Sequence, residues 1–241
     1  MPGAVDLLVF GPHPDDLEIG LGGSIAKHVA LGYRVGLCDL TRGELGTNGT
    51  PEERLAEAEK ARLVLGAEWR ENLELPDGDI GGDRSHLRTI VELIRRARPK
   101  TIAIPYERDR HPDHVAASRL LTRAAFQSGL ARYQAAGDKW RADWLLHYFI
   151  NDSTRPSFVV DVSAQYAVKR AALACHQSQF APPSTGAACP EPSRRAATRL
   201  NTPRFQQLIE SRDAQFGALI GVEFAEGVVV RELMMREHLF K

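Results

Sequence analysis

The sequence predicts an α/β fold with a mostly parallel sheet flanked by helices. Through the first two thirds of the chain, short apolar and β-branched runs alternate with longer segments of helical periodicity. This alternation is typical of strand–helix–strand units, in which consecutive strands lie parallel. With 241 residues and 43% hydrophobic side chains, the chain can bury one substantial core, so we expect a single domain over residues 1–241.

Strands are predicted early in the chain in the runs DLLVF, RVGLCDLT and TIAIPY. Helices are predicted in the segments SIAKHVALG, PEERLAEAEKARLVLG and LRTIVELIRRAR. The second of these helices has clear ends, because Thr50 precedes Pro51, Glu53 stands at capping-box spacing, and Gly66 follows the last periodic residue. The third helix is expected to end before Pro99, because a proline disfavours helical backbone in the residue ahead of it.

Two further strands are predicted in LLHYFIN and SFVVDVS, followed by helices over about 164–176 and 205–219. His176 at the end of the first of these helices is explained equally well by the helix macrodipole or by function. Residues 181–203 are rich in Pro, Ala, Ser and Arg and lack apolar periodicity, which predicts a long, flexible loop. Such loops are either functional lids or tolerated surface insertions, and we favour a lid.

Charge and cysteine content limit the partners. The 31 basic and 31 acidic residues balance, so no basic field is available to hold nucleic acid or an anionic membrane surface. No apolar run approaches the roughly 20 residues of a membrane span. A small molecule is therefore the expected partner. Cys38, Cys175 and Cys189 are odd in number and outside any CxxC spacing, which favours a reducing cytoplasm over a disulfide framework.

Two groups of histidine and aspartate follow predicted strands. GPHPDDLEIG comes directly after DLLVF, and ERDRHPDHVAAS comes directly after TIAIPY. Since ligands bind at the carboxyl ends of parallel strands, the two groups could meet at one crevice. Imidazole and carboxylate are standard ligands of a zinc-like cation, and His13, Asp16 and His114 would leave one coordination position open. Glu18 is kept outside this set because it could simply favour the positive end of the next helix.

Other interpretations of these stretches remain. HPDD alone could be a turn in which Pro14 fixes φ and Asp15 or Asp16 caps a helix, but its recurrence as HPDH at a second strand end favours a catalytic metal site. The glycines of GLGGS, with Asp39 further on, suggest a dinucleotide site. The intervening PHPDDLEI segment and Ile25 break that fingerprint, so we expect the glycines to allow close packing instead.

With both motifs in place, the sequence resembles the PIG-L/LmbE family of metal-dependent N-acetylglucosamine deacetylases. Members carry (A/G)HPDD after the first strand and HPDH after a later one. The resemblance extends over nearly the whole chain, through TRGELGTNG, LPDGDI and HQSQF. CDLTRGELGTNGT and YERDRHPDH look most like the bacillithiol-pathway branch, which removes acetate from N-acetylglucosaminyl malate. The resemblance implies a Rossmann-like fold and cytoplasmic hydrolysis of a linear amide bond.

The resemblance assigns the metal chemistry. It implies that His13, Asp16 and His114 ligate Zn²⁺, or Fe²⁺ in vivo, and that Asp15 is the general base. Two neighbouring carboxylates can divide these tasks, because a bound cation lowers the pKa of water to about 7 and the other carboxylate accepts the proton.

The resemblance also assigns the residues that face the substrate. His111 would stabilise the oxyanion or protonate the leaving amine, and Asp113 would orient His111. Arg54, Asp77 and Arg110 would bind the substrate, with Asp77 accepting from sugar hydroxyls and one or both arginines pairing with malate. A planar guanidinium suits that task because it meets a carboxylate through two parallel hydrogen bonds.

Two positions depart from the family pattern. Pro12 stands where a small residue usually precedes the motif histidine, and Phe205 stands roughly where some relatives offer a tyrosine hydroxyl. In the predicted lid, Arg194, Arg195 and Arg199 would add positive charge near an anionic malate conjugate.

The expected partner is thus a small-molecule N-acetylglucosamine conjugate, with neither nucleic acid nor membrane, and the chain is expected to form a homo-oligomer such as a trimer or hexamer. Rival enzymes are a mycothiol-type or thiol-conjugate amidase and a diacetylchitobiose-like deacetylase. A rival of another class is a non-catalytic sugar- or nucleotide-binding domain. Asp15 and His111 argue against that class, because binding alone needs neither a base nor an acid.

Overall fold

The structure is a computed structural model that describes residues 3–184 and 195–233. In chain order its strands and α-helices are β1 (Leu7–Gly11), α1 (Asp16–Ala30), β2 (Val35–Asp39), α2 (Pro51–Leu65), β3 (Trp69–Asn72), α3 (Arg84–Ala97), β4 (Thr101–Pro105), α4 (Pro112–Ser128), β5 (Trp144–Tyr148), β6 (Phe158–Asp161), α5 (Tyr166–Leu173), α6 (Gln177–Phe180), α7 (Pro203–Ala218) and β7 (Ala225–Val230).

The strands form one seven-stranded sheet in the order β3-β2-β1-β4-β5-β7-β6. Neighbouring strands from β3 to β5 pair in parallel, and β7 runs antiparallel to both β5 and β6. The predicted mostly parallel α/β sheet is therefore confirmed. Strands β3 and β7 were not predicted, because WREN is polar and AEGVVV begins with residues that are uncommon in strands.

Apolar layers cover both faces of the sheet. Along β1, Leu7 and Val9 belong to a core shared with α1, α2, α5 and α7, whereas Leu8 and Phe10 belong to a core shared with α3 and α4. Successive side chains of a strand point to opposite faces, so a strand covered on both sides is apolar at every position. This explains why the first site motif follows a continuous apolar run.

Helix ends follow the sequence signals. The Thr50 hydroxyl accepts from the Glu53 N–H at 3.2 Å, and the Glu53 carboxylate accepts from the Thr50 N–H at 2.9 Å, which forms the predicted capping box. Gly66 ends α2 with a left-handed φ of 73°. Helix α3 ends at Ala97, ahead of Pro99, as predicted.

Other element bounds differ from the prediction. Helix α1 begins at Asp16 instead of near Ser24, because the HPDD turn leads directly into it. The glycines of this helix allow close packing, as expected: a Cβ on Gly20 would lie 2.2 Å from the Tyr148 ring. Helix α4 was not predicted, because its capping residue His111 and its first residue Pro112 lie inside the second motif.

The long loop is described only in part. Residues 181–184 and 195–202 contain neither helix nor strand, as predicted, while 185–194, with Arg194 and Cys189, lie outside the described residues. Cys38 and Cys175 are free thiols. Among the described helices, none has the length and apolar character needed to span a membrane.

The capping box gives a direct test of the α2 boundary. Replacement Thr50→Ala removes the side-chain acceptor for the Glu53 N–H and should lower the free energy of unfolding by about 1 kcal/mol. Urea denaturation monitored by circular dichroism measures this change. Thr47→Ala, exposed in the same loop, is the control and should change stability little. Equal effects of both variants would contradict the capping role.

Candidate active site and metal centre

The two His/Asp motifs meet at the carboxyl edge of the sheet. Strands β1 and β4 are parallel neighbours, so the turn after β1 and the loop after β4 lie side by side. The nearest ligand atoms of His13, Asp16 and His114 lie within 4.8 Å of one another, and all three residues are buried. The structure thus brings together the three residues predicted to hold a metal.

Asp16 stands between the two histidines. Its Oδ2 lies 3.1 Å from His13 Nδ1 and 3.4 Å from His114 Nε2, and it also accepts from the His13 backbone N–H at 2.9 Å. The Asp16 oxygen and the two ring nitrogens are the candidate inner ligands, because they converge on one small volume.

The other ring nitrogens of the two histidines face carboxylates. His13 Nε2 lies 3.1 Å from Asp77 Oδ1 and 3.3 Å from Asp113 Oδ2, and His114 Nδ1 lies 3.1 Å from Asp109 Oδ1. Metal-ligating histidines commonly direct their second nitrogen at a carboxylate, which fixes the ring orientation and tautomer. Both predicted ligands have this arrangement.

Electrostatics also favour a cation here. Burial lowers the pKa of His13, but Asp113, Asp16 and Asp77 together raise it well above its ordinary value. The pKa of His114 is raised to about 9, because Asp16 and Asp109 outweigh burial. The pKa of Asp16 is held well below its usual range by His114 and His13 despite burial. Clustered carboxylates that draw protons onto two imidazoles form a donor set that fits a divalent cation such as zinc.

Asp15 has an unusual backbone and a base-like environment. Its φ of 140° lies in a region that non-glycine residues rarely adopt. The side chain is buried, and burial raises its pKa to about 6, whereas the positive charge of Arg54 opposes that rise. A carboxylate that titrates close to neutral pH is suited to general-base chemistry.

Arg54, predicted to bind substrate, lies beneath Asp15. Its guanidinium donates to the Asp15 carboxylate at 3.4 Å and to the carbonyls of Pro14 and Gly43 at 3.1 and 3.0 Å. A Cβ on Gly43 would lie 1.8 Å from this guanidinium, so glycine is required there. The geometry favours a role in holding Asp15, and the pairing of Arg54 with malate stays a prediction.

His111 lines the cleft, and its Nδ1 is hydrogen-bonded within the protein, whereas its Nε2 has no protein partner among the described residues. Its Nδ1 accepts from the Asp113 N–H at 3.2 Å, which leaves the proton of the neutral ring on Nε2. Burial and the charges of His13 and His114 lower its pKa, which favours this neutral form. The Asp113 carboxylate accepts from Gly78 N–H at 2.9 Å and faces His13, so the predicted orientation of His111 by Asp113 occurs through the backbone and not through the carboxylate.

Asp77 is also engaged within the protein. Its Oδ1 faces His13, and its Oδ2 accepts from the Leu45 N–H at 3.0 Å. Asp77 nevertheless lines the cleft, as do His111 and Arg110. Its contact with sugar hydroxyls stays a prediction, while the structure adds a second task, the orientation of His13.

A cleft of about 650 Å³ opens above these residues, within the range of small-molecule sites. Arg110 and Arg199 both line it, and Arg110 is exposed. The Arg199 guanidinium lies 4.9 Å from the centre of the Phe205 ring and donates to Asn151 Oδ1 at 2.5 Å. Phe205, one of the two departures from the family pattern, therefore packs against the Arg199 guanidinium.

Residues 196–201, at the C-terminal end of the predicted lid, are held at the cleft by hydrogen bonds. Asn48 exchanges two hydrogen bonds with the Ala196 backbone, at 2.9 and 2.8 Å. Asn201 accepts from the Thr198 N–H and donates to the Ala196 carbonyl, both at 2.8 Å. Residues 196–201 thus form a held wall of the cleft, and lid closure stays a prediction.

Glu18 and Asp39 belong to a buried ion-pair group below the site. Arg70 donates to Glu18 at 2.6 Å and to the two oxygens of Asp39 at 2.7 and 2.8 Å. His176 Nε2 lies 3.3 Å from the second Glu18 oxygen. The Asp39 carboxylate is therefore paired with Arg70, which argues against the dinucleotide interpretation, and His176 faces the buried Glu18 carboxylate.

Two site residues were missed from the sequence. Asp109 stands inside the quoted ERDRHPDH stretch, and its acidic side chain next to the motif was a usable signal. Asn151 donates to both Asp109 oxygens at 3.0 Å and links them to Arg199. No local pattern marks it, because the contact depends on the neighbouring placement of β4 and β5.

Comparison with known proteins agrees with the fold. Residues 8–125 match the family model PIG-L, described as GlcNAc-PI de-N-acetylase. Diacetylchitobiose deacetylase from Thermococcus kodakarensis is 31% identical over 191 residues, which span 72% of this chain and 70% of that protein. The chain belongs to the PIG-L family.

Two further relatives cover most of this PIG-L family chain. A 1D-myo-inositol 2-acetamido-2-deoxy-alpha-D-glucopyranoside deacetylase from Catenulispora acidiphila is 27% identical, covering 72% of this chain and 79% of that protein. The crystal structure of a conserved protein from Thermus thermophilus superposes with a TM-score of 0.85 at 36% identity, covering 96% of this chain and 97% of that one. The structural likeness thus extends over nearly the whole chain.

The candidate metal site predicts that both motifs are needed for metal binding. Because His114 completes a ligand set begun by His13 and Asp16, His114→Ala should lower bound metal about as strongly as His13→Ala. Metal analysis of the purified, folded variants measures the content. His86→Ala, far from the set in the chain, is the control and should keep native content. A folded His114→Ala protein with full metal content would rule out this ligand assignment.

Proposed function

We propose that this protein is a metal-dependent deacetylase that hydrolyses the acetamide of an N-acetylglucosaminide. The observation that carries the proposal is a buried carboxylate, Asp15, directly beside the ligand set of His13, Asp16 and His114. The pKa of Asp15, raised by burial to about 6, suits proton transfer from water. The family and the deacetylases among its relatives support the same reaction class.

The residues divide the hydrolysis among them. The cation, Zn²⁺ or Fe²⁺, would polarise the acetamide carbonyl and acidify a water molecule when bound. Asp15 takes the proton of the attacking water, with Arg54 holding its carboxylate. The Nε2–H of His111 donates a hydrogen bond to the oxyanion that develops on the carbonyl oxygen. Because neutral imidazole is a very weak acid, the proton that Asp15 takes from water is the one delivered to the leaving nitrogen. The C–N bond breaks, and acetate and the glucosaminide amine are released.

For the aglycone we propose malate, as in bacillithiol biosynthesis. Support comes from Arg110 and Arg199, which present two guanidinium groups to the same cleft. A carboxylate pairs well with guanidinium, because its two oxygens match two parallel N–H groups. In this proposal Arg110 has the malate-binding role that the resemblance implies, with Arg199 beside it.

A neutral disaccharide is the second candidate substrate. It is favoured by the relative from Thermococcus kodakarensis, which is named for diacetylchitobiose and aligns over most of this chain. The relative from Catenulispora acidiphila favours an inositol aglycone in the same way. Incubation with N-acetylglucosaminyl malate, N-acetylglucosaminyl inositol and diacetylchitobiose, followed by assay of released amine, separates the three. The single-domain organisation and the homo-oligomer remain predictions from the sequence.

The general base has a specific test. Asp15→Asn keeps the side-chain shape and removes the ionisable carboxyl group. It should retain metal and substrate affinity but lower kcat about 10²- to 10⁴-fold, the usual cost of losing a general base. Steady-state kinetics with parallel metal analysis measure both effects. Asp16→Asn is the comparison and should lose metal. Near-native kcat in Asp15→Asn would assign the base to another group.

The malate proposal depends on Arg110. Arg110→Ala should lower kcat/KM for the malate conjugate about 10-fold or more, and should leave the methyl glycoside of N-acetylglucosamine, which has no carboxylate, nearly unchanged. Arg108→Ala is a matched control, because Arg108 is exposed in the same loop but does not line the cleft. Equal losses on both substrates would contradict carboxylate recognition while leaving the deacetylase proposal intact.

A further inference from the structure

Helix α1, which carries the candidate ligand Asp16, is broken after its first turn. Leu21 has φ −136° and ψ 16°, outside the helical region, so the helix consists of a short turn and a longer second part. The N–H groups of Gly23 and Ser24, at the start of the second part, donate to the two oxygens of Glu226 on β7, at 2.9 and 2.7 Å. In an unbroken helix they would donate to residues 19 and 20.

The carbonyl side of the break has its own partner. Ile19 O, which the Gly23 N–H would otherwise use, accepts from Arg212 Nη2 at 2.7 Å. The other terminal nitrogen of Arg212 donates to the carbonyls of Phe149 and Ile150 at 3.0 and 2.9 Å. Ile19 and Ile150 both line the cleft, so one guanidinium holds the backbone of two of its walls.

Arg212 and Glu226 belong to one buried charge cluster. Lys169 Nζ donates to Asp213 and Glu226, both at 2.6 Å, and Arg212 Nε donates to Asp213 at 3.0 Å. The Tyr166 hydroxyl adds a bond to Asp213 at 3.1 Å. Lys169, Asp213 and Glu226 are essentially inaccessible to solvent. With two cations and two carboxylates, the cluster is neutral, and no member can move without leaving a buried charge unpaired.

We propose that Arg212 and Glu226 are positioning residues for the candidate metal centre, which fix the first turn of α1 and thereby the Asp16 carboxylate. The interruption at Leu21 separates this turn from the longer part of the helix. The cluster links the two parts through directional bonds to Ile19, Gly23 and Ser24. Apolar side chains could fill the same volume at similar or better stability, but they could not hold these backbone groups. The proposal depends on the metal site described above.

A purely structural role is the alternative, and Arg95 offers a matched comparison. Arg95 is a buried arginine, whereas Arg212 is partly buried, and Arg95 donates to five backbone carbonyls between residues 128 and 137. It lies on α3, on the opposite side of the sheet from α7. Its bonds hold the last residue of α4, Ser128, and the loop that follows it, fourteen residues along the chain from His114. Both arginines therefore donate hydrogen bonds to backbone carbonyls. Only those of Arg212 reach the helix that carries Asp16.

The experiment compares Arg212→Lys with Arg95→Lys, since lysine keeps the charge but loses the planar fork. Zn²⁺ affinity of the metal-free proteins is measured by competition with a chromophoric chelator, well below the unfolding temperature, with thermal unfolding measured in parallel. Both variants should unfold at lower temperature. Arg212→Lys should also weaken Zn²⁺ affinity about 10-fold or more, whereas Arg95→Lys should keep native affinity.

A charge-balanced variant covers the case in which Arg212→Lys does not fold. Lys169→Met combined with Glu226→Gln removes one buried charge of each sign. The side-chain amide that Glu226→Gln introduces has one acceptor oxygen and one NH₂ donor in place of two acceptor oxygens, so the two N–H groups at the helix break can no longer each have an oxygen of their own. Zn²⁺ affinity should therefore again fall about 10-fold.

The outcomes are distinguishable. Native Zn²⁺ affinity in Arg212→Lys, or in the double variant if only that one folds, would overturn the positioning role while leaving the metal site in place. Absence of Zn²⁺ binding by the unmodified protein would overturn the positioning role and the metal site together.

Discussion

The structure is organised around the contact between one carboxylate and two imidazoles. Asp16 Oδ2 must reach His13 on its own turn and His114 on α4, which lies about a hundred residues further along the chain. Burial penalises all three charged groups, and the surrounding aspartates compensate by drawing positive charge onto the histidines. A divalent cation meets the same need with stronger, directional bonds. The surrounding elements can be understood as the means of holding these three side chains at ligand distance.

The backbone around the motif is held from several sides. Asp15 adopts a rare φ, and such a conformation persists only where neighbouring contacts determine it. Arg54 provides them from below through Pro14 and the Asp15 carboxylate, and it reaches the next loop through Gly43. Adjacent aspartates thereby obtain different environments, one beside the imidazoles and the other beside a guanidinium. This difference explains how neighbouring residues of the same type can serve as ligand and base.

The outer walls of the cleft are built differently from the part that contains the candidate metal ligands. Its walls come from loops around residues 45–47, 110 and 198–200, which are joined by side-chain hydrogen bonds and not by regular structure. A chain of contacts connects the two sides, from His114 through Asp109 and Asn151 to Arg199. Such loops can vary in sequence while the sheet edge keeps the ligands in place, which is consistent with relatives that are named for different aglycones.

The sequence by itself determined the alternating strands and helices, the α2 ends and the three candidate metal ligands, because these depend on local periodicity, capping chemistry and the common edge of parallel strands. It also supplied the family, through motifs that follow two strands. Only the tertiary structure decided which groups surround those ligands. Arg54 holds Asp15, the Asp113 carboxylate accepts from the Gly78 N–H and faces His13, and strands β3 and β7 join the sheet without a local sequence signal. Glu226 and Arg212 each lie about two hundred residues along the chain from the break in α1 that they contact. No local sequence pattern encodes such a contact, because it exists only after the sheet has assembled.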